Sequence, residues 1–280
     1  MEMVKAKIVF VAAALLLSLY GAGAQSFDFE WDQIQTDASR TGVSAPNASN
    51  MTEALGQRKG RRYIAPNGRK FRKGTTPKAA GIVIDAQAKM AEVYEVVGNA
   101  SRDMIKERPE SELSNWFVDH LMDETGKLTG KKIDVGIANF GGIRTDFYKG
   151  PILKDDVLSM FPFKNNVCYV ALKGSDLRYW FEYMAQHGVQ VVGGVNLVIK
   201  DRKLIDVRVA GEPLDDEKVY GLATIDFLLD GGDGFSLARN AVELIQSDKR
   251  IIDVMLPYVR ETAAAGKNVE YKTDGRVKML

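Results

Sequence analysis

One cysteine, two histidines and eight prolines in 280 residues restrict what this chain can be. A single thiol, Cys168, excludes an intramolecular disulfide. Its setting, Val167-Cys168-Tyr169-Val170, reads as a buried, inert position, with no histidine placed to activate it. His120 and His187 are too few for a metal centre built on imidazoles. The chain has no Gly-x-Ser-x-Gly elbow and no Gly-x-x-x-x-Gly-Lys-Ser/Thr phosphate loop. Charge of one sign is also lacking: 38 Lys and Arg face 37 Asp and Glu. No whole-protein field favours a polyanionic or a polycationic partner. With 45% apolar residues, stability has to come from a large core.

The one long apolar run, Ile8 to Tyr20, follows Lys5 and Lys7 and precedes Ala22-Gly23-Ala24. It is shorter than the roughly twenty residues of a membrane span. Basic start, apolar middle and small-x-small end are the pattern of a secretory leader. Residues 1–24 are therefore expected to be a cleaved signal, which makes the chain exported, to a periplasm or the cell exterior, with no membrane span after cleavage. The alternative is an uncleaved anchor. No Cys near the cleavage region offers a lipid attachment point. Loss of Lys5, Lys7 and Glu2 leaves the two signs equal.

Residues 25–76 are rich in small and polar residues without sustained period. Arg58, Lys59, Arg61, Arg62, Arg69, Lys70, Arg72 and Lys73 form a basic cluster with no acid among them. Such a cluster suits nucleic acid or an acidic partner; the simpler reading, preferred here, is a solvated basic arm, with no nucleic acid partner. Asn67-Gly68, between Tyr63-Ile64 and Phe71, reads as a tight hairpin turn.

From about residue 77 onward the pattern is that of one compact domain. Helices are expected over residues 77–98 and from Ser111 to about Thr125, where Ser111 is the cap and Ser114 stands where a capping box has Glu. Leu113, Trp116, Phe117, His120 and Leu121 share a face of that helix, which makes His120 a satisfied core residue. A third helix runs from Ser175 to His187, with Leu177, Trp180, Phe181 and Met184 inward and His187 closing it before Gly188. A last one covers Asp248 to Ala264, interrupted at Pro257. Strands are expected at Ile133–Ala138, Val167–Leu172 and Val219–Thr224, with a hairpin from 196–200 to 204–209. Irregular alternation of the two element types predicts an α+β fold, a mixed β-sheet with helices packed on it.

Two glycine-rich turns follow strands: Asn139-Phe140-Gly141-Gly142-Ile143-Arg144 and, after Asp226-Phe227, Asp230-Gly231-Gly232-Asp233-Gly234-Phe235. Glycines permit positive φ and close ligand approach, and turns at strand ends form pocket rims. Plain hairpin geometry is the commoner use. The attached side chains point further. Arg144 offers a planar fork for phosphate or carboxylate. Asn139 offers a donor and an acceptor suited to a base edge. Asp233 can accept from two adjacent hydroxyls, as on a ribose. Met160-Phe161-Pro162-Phe163-Lys164-Asn165 is a rigid aromatic loop. Phe161 reads as core. Phe163 and Phe227 read either as core or as two rings that clamp a nucleobase.

Asn139…Gly-Gly-Ile-Arg144, Phe161-Pro162-Phe163-Lys-Asn165, Lys173-Gly174-Ser-Asp-Leu177 and Asp226-Phe227…Gly-Gly-Asp233-Gly-Phe235 occur in one order. Together they resemble the C-terminal, nucleotide-binding domain of the 5'-nucleotidase/UDP-sugar hydrolase family, from about residue 80 to the end. The resemblance implies that Phe163 and Phe227 stack on the base, Asp233 holds the ribose, Asn139 lies near the base beside Gly142, and Arg144 holds phosphate. A second phosphate arginine is assigned to Arg108, one position out of register.

Whole members of that family also carry a metallophosphoesterase domain with two ions about 3.5–4 Å apart. The motifs Asp-x-His, Gly-Asn-His and Gly-His-x-His are missing here, and 25–76 is too short to hold such a domain. The expectation is a chain without catalytic or metal-ligating residues of its own and without a cofactor. It would serve as the substrate-binding half of 5'-nucleotidase-type hydrolysis, with divalent metals on a separate metallophosphatase chain. The alternative is a non-enzymatic exported nucleoside or nucleotide binder.

Overall fold

The computed structural model describes residues 38–44 and 50–280. The expected leader falls outside them. No helix among the described residues is long and apolar enough to cross a membrane.

The N-terminal part carries a short helix, Met51–Leu55 (α1), and three antiparallel strands, Gln57–Lys59 (β1), Arg62–Ile64 (β2) and Lys70–Phe71 (β3). The basic segment thus forms short strands where an irregular arm was expected, and its cations are solvent-exposed. Asn67-Gly68 does sit in a hairpin, but the loop runs over 65–69. Ile64 pairs with Lys70, and Ala65 N–H donates to Arg69 O at 2.9 Å.

Helix Thr75–Met90 (α2) ends earlier than the sequence suggested. A 3₁₀ turn at Ala91–Tyr94 follows, and then strand Val96–Ala100 (β4) pairs with Gly150–Leu153 (β6). The β-branched pair Val96-Val97 favours the strand. Gly98 lets it pack closely, since a Cβ there would come within 2.8 Å of Val259 Cγ1.

Helix Glu112–Thr129 (α3) is capped by Ser111. Ser114 completes the capping box that the sequence seemed to lack: its Oγ accepts from Ser111 N–H at 2.8 Å, while Ser111 Oγ accepts from Ser114 N–H at 3.1 Å. The helix buries Leu113, Trp116, Phe117, His120 and Leu121, as its period requires. It lies across Val135–Ala138 (β5), Val191–Gly193 (β8), Asn166–Lys173 (β7) and Val219–Ile225 (β12).

Those four strands and Glu243–Arg250 (β13) make the principal sheet, in the order β13-β7-β12-β5-β8. β7 runs antiparallel to both neighbours, whereas β12 and β5 are parallel. β7 and β12 are buried over nearly their whole lengths, so they read as continuous apolar runs rather than alternating ones. Cys168 sits on β7, buried, with its thiol pushed up to about 12 by that burial.

Lys154–Met160 (α4) precedes β7, and Gly174–His187 (α5) follows it, burying Leu177, Trp180, Phe181 and Met184. At Gly194, φ +71°, the chain leaves β8 for a second sheet; a Cβ there would meet Asp134 O at 2.2 Å. That sheet has the order β11-β10-β9-β14, from Glu212–Pro213 (β11), Lys203–Val209 (β10), Val195–Lys200 (β9) and Val277–Met279 (β14). The expected β9–β10 hairpin turns through Asp201 and Arg202, both at positive φ.

The last helix, Ile251–Ala264 (α6), starts three residues later than expected because 248–250 extend β13. It also runs on through Pro257, forfeiting only the bond to the Asp253 carbonyl.

His120 is buried as expected, at 8% exposure, but it is not satisfied: among the described residues its Nδ1 has no hydrogen-bond partner, and Asp123 Oδ2 stays 4.0 Å away. Its ring stacks on Tyr258 at 3.7 Å and meets Trp116 and Tyr271 edge-on. Burial lowers its pKa to about 4; Asp119 opposes the shift, and Lys127 adds to it slightly. The unfolded chain, near 6.5, takes the proton first. Stability contributed here is full above about pH 6.5 and is lost as pH falls toward 4, by up to about 3 kcal/mol. Melting temperatures followed over that window should fall less steeply for His120→Phe than for the parent protein.

Candidate functional site

Parallel β5 and β12 end at the same edge of the principal sheet, and antiparallel β7 and β8 begin there. Ile225 pairs with Val167, and Ala138 pairs with Val191. Four loops therefore emerge side by side: 139–144 after β5, 226–235 after β12, 161–165 before β7, and 188–190 before β8. The carboxyl ends of strands in mixed sheets are a usual place for ligand crevices.

The two glycine turns meet directly. Asn139 Nδ2 donates to Asp233 Oδ2 at 2.9 Å, across 94 residues of sequence. Asn139 is only 6% exposed, and among the described residues its Oδ1 has no partner. Gly142 is required beneath it, since a Cβ at 142 would lie 2.6 Å from that oxygen. Asp233 itself is exposed and left-handed, with φ 49° and ψ 26°. Its loop is tightened by Gly231 N–H donating to Phe235 O at 2.6 Å. Phe235 anchors the loop beneath Trp180 and Tyr183.

Phe227 opens the same loop and is 42% exposed; a Cβ at Gly232 would fall 2.8 Å from its ring. Phe163 is 47% exposed, with the Arg144 guanidinium 5.8 Å from its ring centroid. Neither ring is core, and among the described residues no ring contact joins them. Phe161, by contrast, is buried against Phe117 at 4.8 Å, as expected for core.

Arg144 is exposed, held by its backbone N–H to Met160 O at 3.0 Å. Arg108 reaches the same edge. Its guanidinium lies 4.4 Å over the Phe140 ring and donates to Val189 O. Burial draws its pKa down, and the Asp233 carboxylate opposes that. The seven residues singled out in the sequence thus fall into a linked group of Arg108, Asn139, Gly142 and Asp233, with Phe227 beside it, and a second pair, Arg144 with Phe163.

Three supporting residues had no sequence signal. Gln190 Oε1 accepts from Phe140 N–H at 3.0 Å, and Lys106 Nζ donates to Ile143 O at 2.6 Å. Tyr183 fills the space over Gly234, where a Cβ would lie 2.0 Å from its Oη. All three hold backbone rather than form a motif. Among the described residues no three His, Cys, Asp or Glu side chains converge as metal ligands. His120 is enclosed by rings, and His187 closes α5 against Tyr183 at 4.3 Å.

A family profile described as the 5'-nucleotidase C-terminal domain matches residues 90–239, more than half of the chain. The chain belongs to the 5'-nucleotidase C-terminal domain family. Protein UshA of Escherichia coli (strain K12) is 30% identical over 161 residues, covering 56% of this chain and 28% of that protein. Apyrase of Tabanus yao is 28% identical over 195 residues, covering 60% of this chain and 34% of that protein. The 5'-nucleotidase precursor of Thermus thermophilus superimposes with TM-score 0.62 at 26% identity, over 78% of this chain and 45% of that one. This member of the family therefore spans about a third of those two curated relatives and under half of that solved structure. The four ordered motifs and the α+β fold agree with the match.

Proposed function

We propose that this family member recognises nucleotides as the substrate-binding half of 5'-nucleotidase-type phosphate ester hydrolysis, paired with a separate metallophosphatase chain. Phe163 and Phe227 take the base between them, Asp233 accepts from the ribose hydroxyls, and Arg144 and Arg108 face the phosphate. Asn139 acts on the ribose indirectly, by fixing the Asp233 carboxylate. The observation that carries this reading is the 2.9 Å bond from Asn139 to Asp233 at a strand edge flanked by two half-exposed phenyl rings. The contribution to catalysis is orientation, which can lower a barrier by several kcal/mol. The leader pattern in residues 1–24 supports action outside the cytoplasm, in a periplasm or at the cell exterior.

The test is phosphate release from AMP by this chain alone, by a metallophosphatase chain lacking this domain, and by the mixture. The proposal requires the mixture to exceed the sum of the separate rates. Adenosine binding without any gain on mixing would instead favour a non-enzymatic binder. Within either reading, Asp233→Ala should weaken ribonucleotides by about 1–3 kcal/mol and leave 2',3'-dideoxy analogues almost unchanged in calorimetric titration. Equal losses for both ligands would remove Asp233 from the ribose.

A further inference from the structure

The basic segment 58–78 is left unused by the nucleotide site. Every charged residue between Glu53 and Asp85 is Lys or Arg. The fold gathers Arg58, Arg61, Arg62, Arg72, Lys73 and Lys78 around a cleft of about 450 Å³ between the β1–β2 hairpin and the first turns of α2. Arg58 is occupied: it donates to Asp85 at 2.5 Å and lies on Gly81, where a Cβ would come within 3.3 Å of its Nη1. The other five make no side-chain hydrogen bond or ion pair among the described residues. Among the described residues Asp85 is the one carboxylate lining the cleft, against six cations; like charges held together repel one another, and an anionic occupant lowers that cost.

We infer that this cleft docks an extended acidic segment of a partner protein. Its concave shape disfavours a flat lipid surface. Single-stranded nucleic acid is held chiefly by stacking on aromatic rings, yet no aromatic side chain lines the cleft. Phe71 is stacked on Tyr63 and lies under the Arg40 and Arg69 guanidinium groups. Instead the wall carries Pro77 and Ile82, the latter 72% exposed. This mixture suits a peptide that alternates acidic and apolar side chains. β1 is the outer strand of its sheet, and its side chains are exposed throughout.

The experiment uses the full chain and a fluorescein-labelled peptide alternating Glu and Leu, followed by anisotropy at low and high salt. Labelled oligo-dT and phosphatidylglycerol vesicles serve as competing arms. The peptide is expected to bind saturably and more weakly as salt rises. Reversal of three free cations (Arg61→Glu, Arg72→Glu, Lys78→Glu) should reduce affinity at least about tenfold without lowering the melting temperature. Ile82→Ser should also reduce it, whereas Phe227→Ala should not, which separates this site from the nucleotide site. Equal peptide binding by the reversed variant, or tighter binding of oligo-dT or vesicles than of peptide, would overturn the inference.

Discussion

Phe227→Ala and Phe163→Ala should each weaken AMP and adenosine binding by about 1–3 kcal/mol, roughly 5- to 150-fold. The two effects should be nearly equal for nucleoside and nucleotide, because the proposal places the rings on the base and not on the phosphate. Both side chains are about half exposed, so truncation opens no core cavity. The melting temperature should stay within a few degrees of the parent value. Phe227 carries one extra consequence: its ring lies over Gly232, next to Asp233, so its loss also loosens the 226–235 loop. The double variant is therefore expected to lose less than the sum for the two singles, since a base needs both faces covered to be fixed. Unfolding of Phe227→Ala, or unchanged affinity in calorimetric titration, would move the base elsewhere.

The largest stability effect is expected at Arg276. Its side chain is 6% exposed and holds two carboxylates. Nη1 and Nη2 each donate to Asp119 at 2.8 Å, Nε and Nη2 donate to Asp274 at 2.9 and 2.8 Å, and Nη1 also reaches Val192 O at 3.1 Å. Tyr271 adds a 2.7 Å bond to Asp119. The network ties the C-terminal segment to α3 and β8, two elements beneath the candidate site. Arg276→Met leaves the half-buried Asp119 carboxylate without its counter-charge, which should cost up to about 3 kcal/mol, or roughly 10 °C in melting temperature. Adding Asp119→Leu should recover part of that loss, because the carboxylate held by both Nη atoms leaves with its partner while Asp274 and Glu110 remain. A loss under about 1 kcal/mol for the single variant would mean that water already screens the pair.

Elements buried on a continuous face were legible from residues alone. β7 and β12 announce themselves as apolar runs, and α3 and α5 as helical stripes. The β9–β10 hairpin was legible from its polar turn. What escaped has physical causes. β8 is three residues long, and β13 reads Glu-Leu-Ile-Gln-Ser-Asp-Lys-Arg, an outer strand whose polar residues resemble a loop leading into α6. α2 was extended too far because the Ala and Val spacing continues past Met90, where pairing with β6 takes over. At the candidate site, glycines and aromatics were visible as motifs, since their chemistry is local. The bond from Asn139 to Asp233 was not, because the two lie 94 residues apart. Gln190 and Lys106 act only on backbone groups, a use that leaves no pattern.

The most direct measurement is a crystal structure with adenosine bound. The purine should lie within van der Waals contact of both the Phe163 and Phe227 rings, with a ribose hydroxyl donating to Asp233 while Asn139 keeps its bond to that carboxylate. Adenosine bound away from these loops, or in contact with only one ring and without Asp233, would contradict the account.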